Sequence, residues 1–263
     1  MMRKVTSISG KAGRYMYAII PGAEERSFGP IGLNGAKVYT ICGGKAVAVV
    51  SDIPIGKIRP ERKNFAAHQM VLKTLLDQGD LLPMVFGNIS YGTAAVKNFL
   101  DQNESAISKA LKRISGRVEM GLRVKLDVPN IFDYLVRTYE ELRIARDEFL
   151  RPNREPTQDE KIELGRLFQN ILESARDQHM ETVSKALAAC CSEIKRNKCG
   201  DESEVMNLAC LVDRFAVEKL KDRVFKVASL FDDNFAFDYN GPWAPHNFVG
   251  IERKMHFGDL CEL

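Results

Sequence analysis

The residues able to do chemistry in this chain are few and scattered. It has four histidines and six cysteines among 263 residues. Asp232-Asp233 and Asp238 precede His246, the raw material for general acid–base catalysis. That chemistry needs a second positioned group within hydrogen-bond reach, and the sequence sets none beside them. His68 falls on or beside the apolar stripe Phe65, Leu72, Leu75 and Leu76, where a lone histidine reads as a hydrogen-bonded packing residue. No second histidine at ligand spacing makes it a metal site. Gly43-Gly44-Lys45 carries the end of a phosphate-binding loop without the Gly-x-x-x-x-Gly-Lys-[Ser/Thr] that such a loop requires, so it reads as a hairpin turn. The cysteines, at 42, 190, 191, 199, 210 and 261, include no Cys-x-x-Cys. They read as small apolar residues of a reduced, cytoplasmic protein. Catalytic, cofactor-binding and metal residues are therefore assigned to none.

The elements that would position any site come next. Charged residues are 28% and hydrophobic residues 45%, the balance of a globular chain, and 263 residues allow two domains of ordinary size. A net charge of +3 gives no footprint for nucleic acid. No apolar run is long enough to span a membrane, and Met1-Met2-Arg3-Lys4 leads into no signal-peptide core.

Residues 1–13 read as a flexible lead-in. Arg14 to Ile20 is a strand stopped by Pro21-Gly22, and residues 21–36 are a loop. Lys37–Cys42 and Lys45–Ser51 form the hairpin about Gly43-Gly44. A helix runs from Glu61 to Gln78, and Leu81–Phe86 is a strand made irregular or peripheral by Pro83. Tyr91–Leu100 and Glu104–Ile114 are short helices. The order gives an α+β domain over 14–115, an antiparallel sheet with helices on one face.

Gly116–Asp127 alternates, with Val118, Met120, Leu122, Val124 and Leu126 on one face and Glu119, Arg123 and Lys125 on the other. Pro129 opens a helix to Arg151. Thr157 with Glu160 is a capping box that starts a long helix to Cys191. The two helices carry apolar seams and pack as an antiparallel pair. Ser203–Asp213 is a strand placed centrally by its lack of alternation, with Ile194–Gly200 as a possible hairpin partner. Ala216–Phe231 is an amphipathic helix. In the last strand Phe235, Phe237 and Tyr239 point to one face, and Asn240-Gly241-Pro242 ends it. Trp243, Pro245 and Phe248 then fold back on the sheet as an aromatic plug. Residues 116–250 thus form a second α+β domain, ferredoxin-like with an inserted long helix pair, and 251–263 a loose tail.

Five segments resemble, in order, the gas vesicle protein F/L family. They are Tyr15-Met16-Tyr17-Ala18-Ile19-Ile20, Ala67-His68-Gln69-Met70-Val71-Leu72, Leu82-Pro83-Met84-Val85-Phe86-Gly87, the Val118-Glu119-Met120-Gly121 strand, and Tyr239-Asn240-Gly241-Pro242-Trp243-Ala244-Pro245-His246-Asn247-Phe248-Val249. The resemblance covers residues 14–250. One position departs from the family pattern: Val85 stands where the family has arginine, and is expected to join the core.

The resemblance implies a non-enzymatic accessory or minor structural protein of the gas vesicle, a cytoplasmic buoyancy organelle, without cofactor. It implies contact with the small hydrophobic shell protein and with other accessory proteins. Free sheet edges and the aromatic, proline-lined segment suit the holding of an apolar subunit, by strand addition or groove packing. Tyr239, Trp243, Pro245 and Phe248 are the candidate partner-binding residues. A small-ligand-sensing regulatory module on the same kind of sheet is the alternative, and an enzyme the third class.

Overall fold

The computed structural model describes residues 12–249, apart from 55 and 57. The tail over 251–263, Cys261 with it, and the lead-in up to residue 11 lie outside the described residues. Residues 12 and 13 already belong to the first strand. The described residues form two compact units, 12–119 with 243–249 and 120–242. The segment from Trp243 onward therefore belongs with the first unit.

The first unit is built on β1 (Ala12–Pro21), β2 (Ser27–Gly29), β3 (Val38–Gly43), β4 (Ala46–Pro54), the helix α1 (Arg62–Leu76), the two-residue strands β5 (Leu82–Pro83) and β6 (Ile89–Ser90), and the helices α2 (Thr93–Gln102) and α3 (Glu104–Ile114). The sheet runs β2-β3-β4-β1-β5, with β6 also on β1. β1 pairs antiparallel with β4, β5 and β6, and β3 with β2 and β4. β1 is central, and Tyr15 to Ile19 are all buried, as a strand covered on both faces requires.

The Gly-Gly hairpin forms between β3 and β4, and its two glycines do different work. Gly44 takes φ +57° in the turn. A Cβ on Gly43 would lie 2.7 Å from Cβ and 2.8 Å from Cδ1 of Leu100, a buried residue of α2. Gly43 is thus a helix–sheet contact. Gly43→Ala is expected to destabilise the chain by about 1–3 kcal/mol, the cost of overpacking a closed site, measured by thermal or denaturant unfolding.

The expected strand Leu81–Phe86 is much shorter than its sequence pattern. Only Leu82 and Pro83 pair with β1 before the chain leaves the ladder and returns at Ile89. Pro83 supplies no N–H, so the irregular edge expected of it is what forms. Val85 lies on the excursion and is 50% exposed, so it does not add to the core.

The second unit begins within β7 (Arg117–Leu126), continues through α4 (Ile131–Thr138), α5 (Glu140–Phe149), α6 (Gln158–Leu187), β8 (Glu193–Arg196), β9 (Glu204–Asp213) and α7 (Val217–Ala228), and ends within β10 (Phe235–Trp243), at Pro242. The strand order is β10-β7-β9-β8, with β8 antiparallel to β9. The single helix expected from Pro129 to Arg151 is two, because Tyr139 is extended (φ −115°, ψ 113°) between them. Thr138 and Tyr139 are weak helix formers, and packing on α6 decides the local shape. Leu135, Val136 and Leu142 meet Phe168, Ile171 and Leu172 in one cluster. The capping box at α6 is present in both halves: Thr157 Oγ1 accepts from the Glu160 N–H, and Glu160 Oε2 accepts from the Thr157 N–H.

β10 does not stop at Asn240. It passes through Gly241-Pro242 to Trp243. As an edge strand it tolerates proline, whose missing N–H removes no ladder bond when that side faces outward.

Candidate functional site

The C-terminal segment is anchored at two points within the first unit. Phe248 is 1% exposed, and Ala244 and Pro245 are buried. Asn247 donates twice to one carboxylate, from its backbone N–H to Glu119 Oε2 at 2.8 Å and from its side-chain amide to Glu119 Oε1 at 2.7 Å. Glu119 is 7% exposed, although its place in the alternation of Gly116–Asp127 put it on the polar face. A buried carboxylate is tolerable because its oxygens are hydrogen-bonded, and Asn247 supplies two of those bonds.

Trp243 begins this segment and is 46% exposed, so it is not the plug expected of it. The plug is Phe248. Tyr239 lies in the second unit, half-buried on the face of β10 that also carries Phe235 and Phe237. Its hydroxyl donates to the Val217 carbonyl at 3.4 Å, and burial pushes its pKa up to about 12. Of the four candidate partner residues, Pro245 and Phe248 are thus packing residues, Tyr239 is tied to its own unit, and Trp243 offers the most surface.

His68 is a buried, hydrogen-bonded packing residue, as its place in α1 suggested. Its Nδ1 lies 2.8 Å from the Tyr15 hydroxyl. That hydroxyl accepts from the Gly87 N–H at 3.1 Å, which leaves its own proton for His68. Tyr17 repeats the pattern, accepting from the Leu33 N–H and meeting Ser51 Oγ, both at 2.9 Å. The rings of Tyr15, Tyr17, Phe86 and His68 stack around one another at centroid distances of 4.7–6.2 Å. Burial, with the like charge His246 would add, lowers the His68 pKa to about 4, against a weaker opposing backbone contact at Met84. Burial alone lowers that of His246. Burial also raises the pKa values of Tyr15 and Tyr17. The group is neutral near pH 7, and its chemistry is to fix the β1–α1 packing.

Asp232, Asp233 and Asp238 are exposed in the second unit, and His246 belongs to the first. Lys45 lies 3.9 Å from Glu104, an exposed ion pair beside the hairpin. None of the described cysteines is in a disulfide. Two features escaped the sequence. The Glu119–Asn247 clamp joins residues 128 positions apart, and in the alternation Glu119 carries no mark that sets it apart from Arg123 and Lys125. An aromatic cavity in the second unit gathers His179 of the α6 seam with Phe231 and Phe235, which the sequence assigned to separate elements.

Comparison with known proteins gives a consistent result over this same span. The family model described as gas vesicle synthesis protein GvpL/GvpF matches residues 13–250. Gas vesicle protein F of Streptomyces sp. (strain CB03234) is 27% identical over 89% of this chain and 98% of its own length. Gas vesicle protein F2 of Halobacterium salinarum is 25% identical over 90% and 92%. Gas vesicle protein L of the same Streptomyces strain is 23% identical over 92% and 95%. The crystal structure of the gas vesicle protein GvpF from Anabaena sp. PCC7120 superimposes with a TM-score of 0.78 at 21% identity, over 90% of this chain and 98% of that one. The GvpF structure from Microcystis aeruginosa gives 0.76 at 18%. Mixed helices and antiparallel sheet are thus shared with solved folds, and the matched span runs from β1 through the Glu119-anchored segment. The chain belongs to the GvpL/GvpF family of gas vesicle synthesis proteins.

Proposed function

We propose that this chain acts in gas vesicle assembly as a non-enzymatic accessory or minor structural protein, in contact with the small hydrophobic shell protein and with other accessory proteins. The observation that carries the reading is the family match over residues 13–250, which leaves hardly any of the described chain outside it. The protein works in the cytoplasm, where the vesicle is built. Its two units act as two α+β domains with helices laid on their sheets. The second is read as ferredoxin-like: its strand order β10-β7-β9-β8 supports this, with α4, α5 and α6 in the first crossover and α7 in the second.

A shell subunit exposes apolar surface before it assembles, and such surface aggregates unless covered. Trp243 is the contact residue we favour: a large ring 46% exposed at the start of a segment held rigid by Phe248 and by Glu119. A rigid aromatic anchor loses little side-chain entropy on binding and is the residue type most often found at binding hot spots. Co-expression of this chain with the small shell protein, followed by affinity capture, tests the reading. The wild type should retain the shell protein. Trp243→Ala, verified as folded, should retain about tenfold less, the effect of losing one hot-spot side chain. Equal retention by a folded Trp243→Ala protein would make the segment purely structural. No retention by the wild type, with the shell protein soluble, would remove direct contact from the reading.

A further inference from the structure

The second unit contains a cavity of about 280 Å³ with an aromatic wall. Tyr134 comes from α4, His179 from α6, Phe231 from the turn after α7, and Phe235 from the start of β10. Phe231 and Phe235 meet edge-on at 5.1 Å between centroids. His179 lies 5.1 Å from Phe231 and 5.2 Å from Phe235, and Tyr134 stands edge-on to Phe235 at 6.3 Å. Beneath them the lining is aliphatic, as at Leu172.

Two charged side chains border this space, and they differ in what already holds them. Arg176 donates from Nε to the Glu204 carbonyl at 3.0 Å, and from Nη2 to the carbonyls of Asp201 at 2.8 Å and Glu202 at 3.2 Å. Its guanidinium is committed to the β8–β9 connection. The Asp232 carboxylate accepts the Asn234 N–H at 2.9 Å and has no ion pair among the described residues, while its backbone carbonyl accepts the Phe235 N–H at 3.2 Å. Arg176 keeps its positive charge but spends Nε and Nη2 on those carbonyls, whereas the Asp232 carboxylate has acceptor capacity left for a ligand. This carboxylate sits beside rings whose faces are also electron-rich. Burial lowers the pKa of His179, so near pH 7 this residue is another neutral ring.

We propose that this cavity binds a small organic ammonium compound with an apolar body. The body packs among the rings and the aliphatic floor. The ammonium pairs with Asp232 and lies against the aromatic faces, where cation–π attraction adds to the ion pair. An anion would meet the Asp232 carboxylate, and a neutral ligand would gain at most a hydrogen bond from it, without the ion pair. The volume, near the lower end of small-molecule sites, suits a compact ligand. This binding is independent of shell-protein contact, so either can fail without the other.

The test uses the full chain and two probes with one body, phenethylammonium and phenethyl alcohol, titrated by calorimetry with the His179 and phenylalanine ring resonances as site markers. Phenethylammonium should bind about tenfold or more tightly than the alcohol and shift those resonances. Asp232→Asn keeps the acceptor for Asn234 N–H and should bring the amine down to the level of the alcohol, while changing the alcohol far less than the amine. Phe231→Leu should weaken both. Equal affinity for the two probes, no binding of either at millimolar concentration, or an amine preference that survives Asp232→Asn would each overturn the proposal.

Discussion

Phe248→Ala is expected to lower the stability of the protein by about 3–5 kcal/mol, whereas Trp243→Ala, five residues earlier, should change it by less than about 1 kcal/mol. The asymmetry follows from burial. Phe248 is 1% exposed and ranks among the largest fully buried side chains, so its removal loses the transfer free energy of a ring and leaves a cavity that neighbours fill only in part. Trp243 is 46% exposed, and much of its surface is in water whether or not the chain is folded. Against a total stability of about 5–15 kcal/mol, the first loss is large and the second small. In thermal melts followed by circular dichroism, Phe248→Ala should lower Tm by roughly 6–20 °C. If Trp243→Ala melts as early as Phe248→Ala, the tryptophan is a packing residue and its place in a contact surface is lost. The pair also separates the two meanings of the Gly-Pro-Trp segment, since Phe248 anchors it and Trp243 is what the anchored segment presents.

The sequence made the anchoring partly legible. Period-two aromatics put Phe235, Phe237 and Tyr239 on one face, and the structure keeps that face half-buried while Ala236 and Asp238 are exposed. Capping chemistry was readable for a local reason: Thr157 and Glu160 need only each other. The Gly-Gly turn was readable for the same reason, but Gly43 also accommodates Leu100, and a contact across 57 positions leaves no local trace. Long-range packing likewise decides the break at Tyr139, which propensity missed; the irregular edge at Pro83 was legible, but Val85, expected in the core, is exposed on it. Glu119 is the sharpest case. Alternation places it on the polar face of its strand, and only the return of Asn247 turns a solvated carboxylate into a buried, doubly hydrogen-bonded one. Trp243 was misplaced because an aromatic beside prolines looks the same in sequence whether it plugs or protrudes.

Acid should destabilise the protein well above the pH at which carboxylates titrate, and His68 should account for about 3 kcal/mol of the loss when complete. The sign follows from its burial. In the unfolded chain a histidine titrates near 6.5, and in the folded protein His68 is held to about 4, first by desolvation and then by the charge of His246. Between these values the unfolded state binds the proton and the folded state does not, so stability falls as pH falls through that window and is full above it. His246 and His179 are shifted in the same direction and add to the slope. From about pH 7.5 to about pH 5, His68 alone should remove about 2 kcal/mol. Denaturant unfolding of wild type and His68→Gln at both values measures it. The glutamine variant retains a hydrogen-bonding side chain toward Tyr15 but cannot titrate, so whatever its absolute stability, its pH dependence should be flatter by that amount. An undiminished slope would mean that His68 is protonated without cost, and hence that the Tyr15–His68 core opens to water before the protein unfolds. Because α1 rests on β1 through this histidine, a flatter slope in the variant would instead show that the β1–α1 core stays closed until global unfolding.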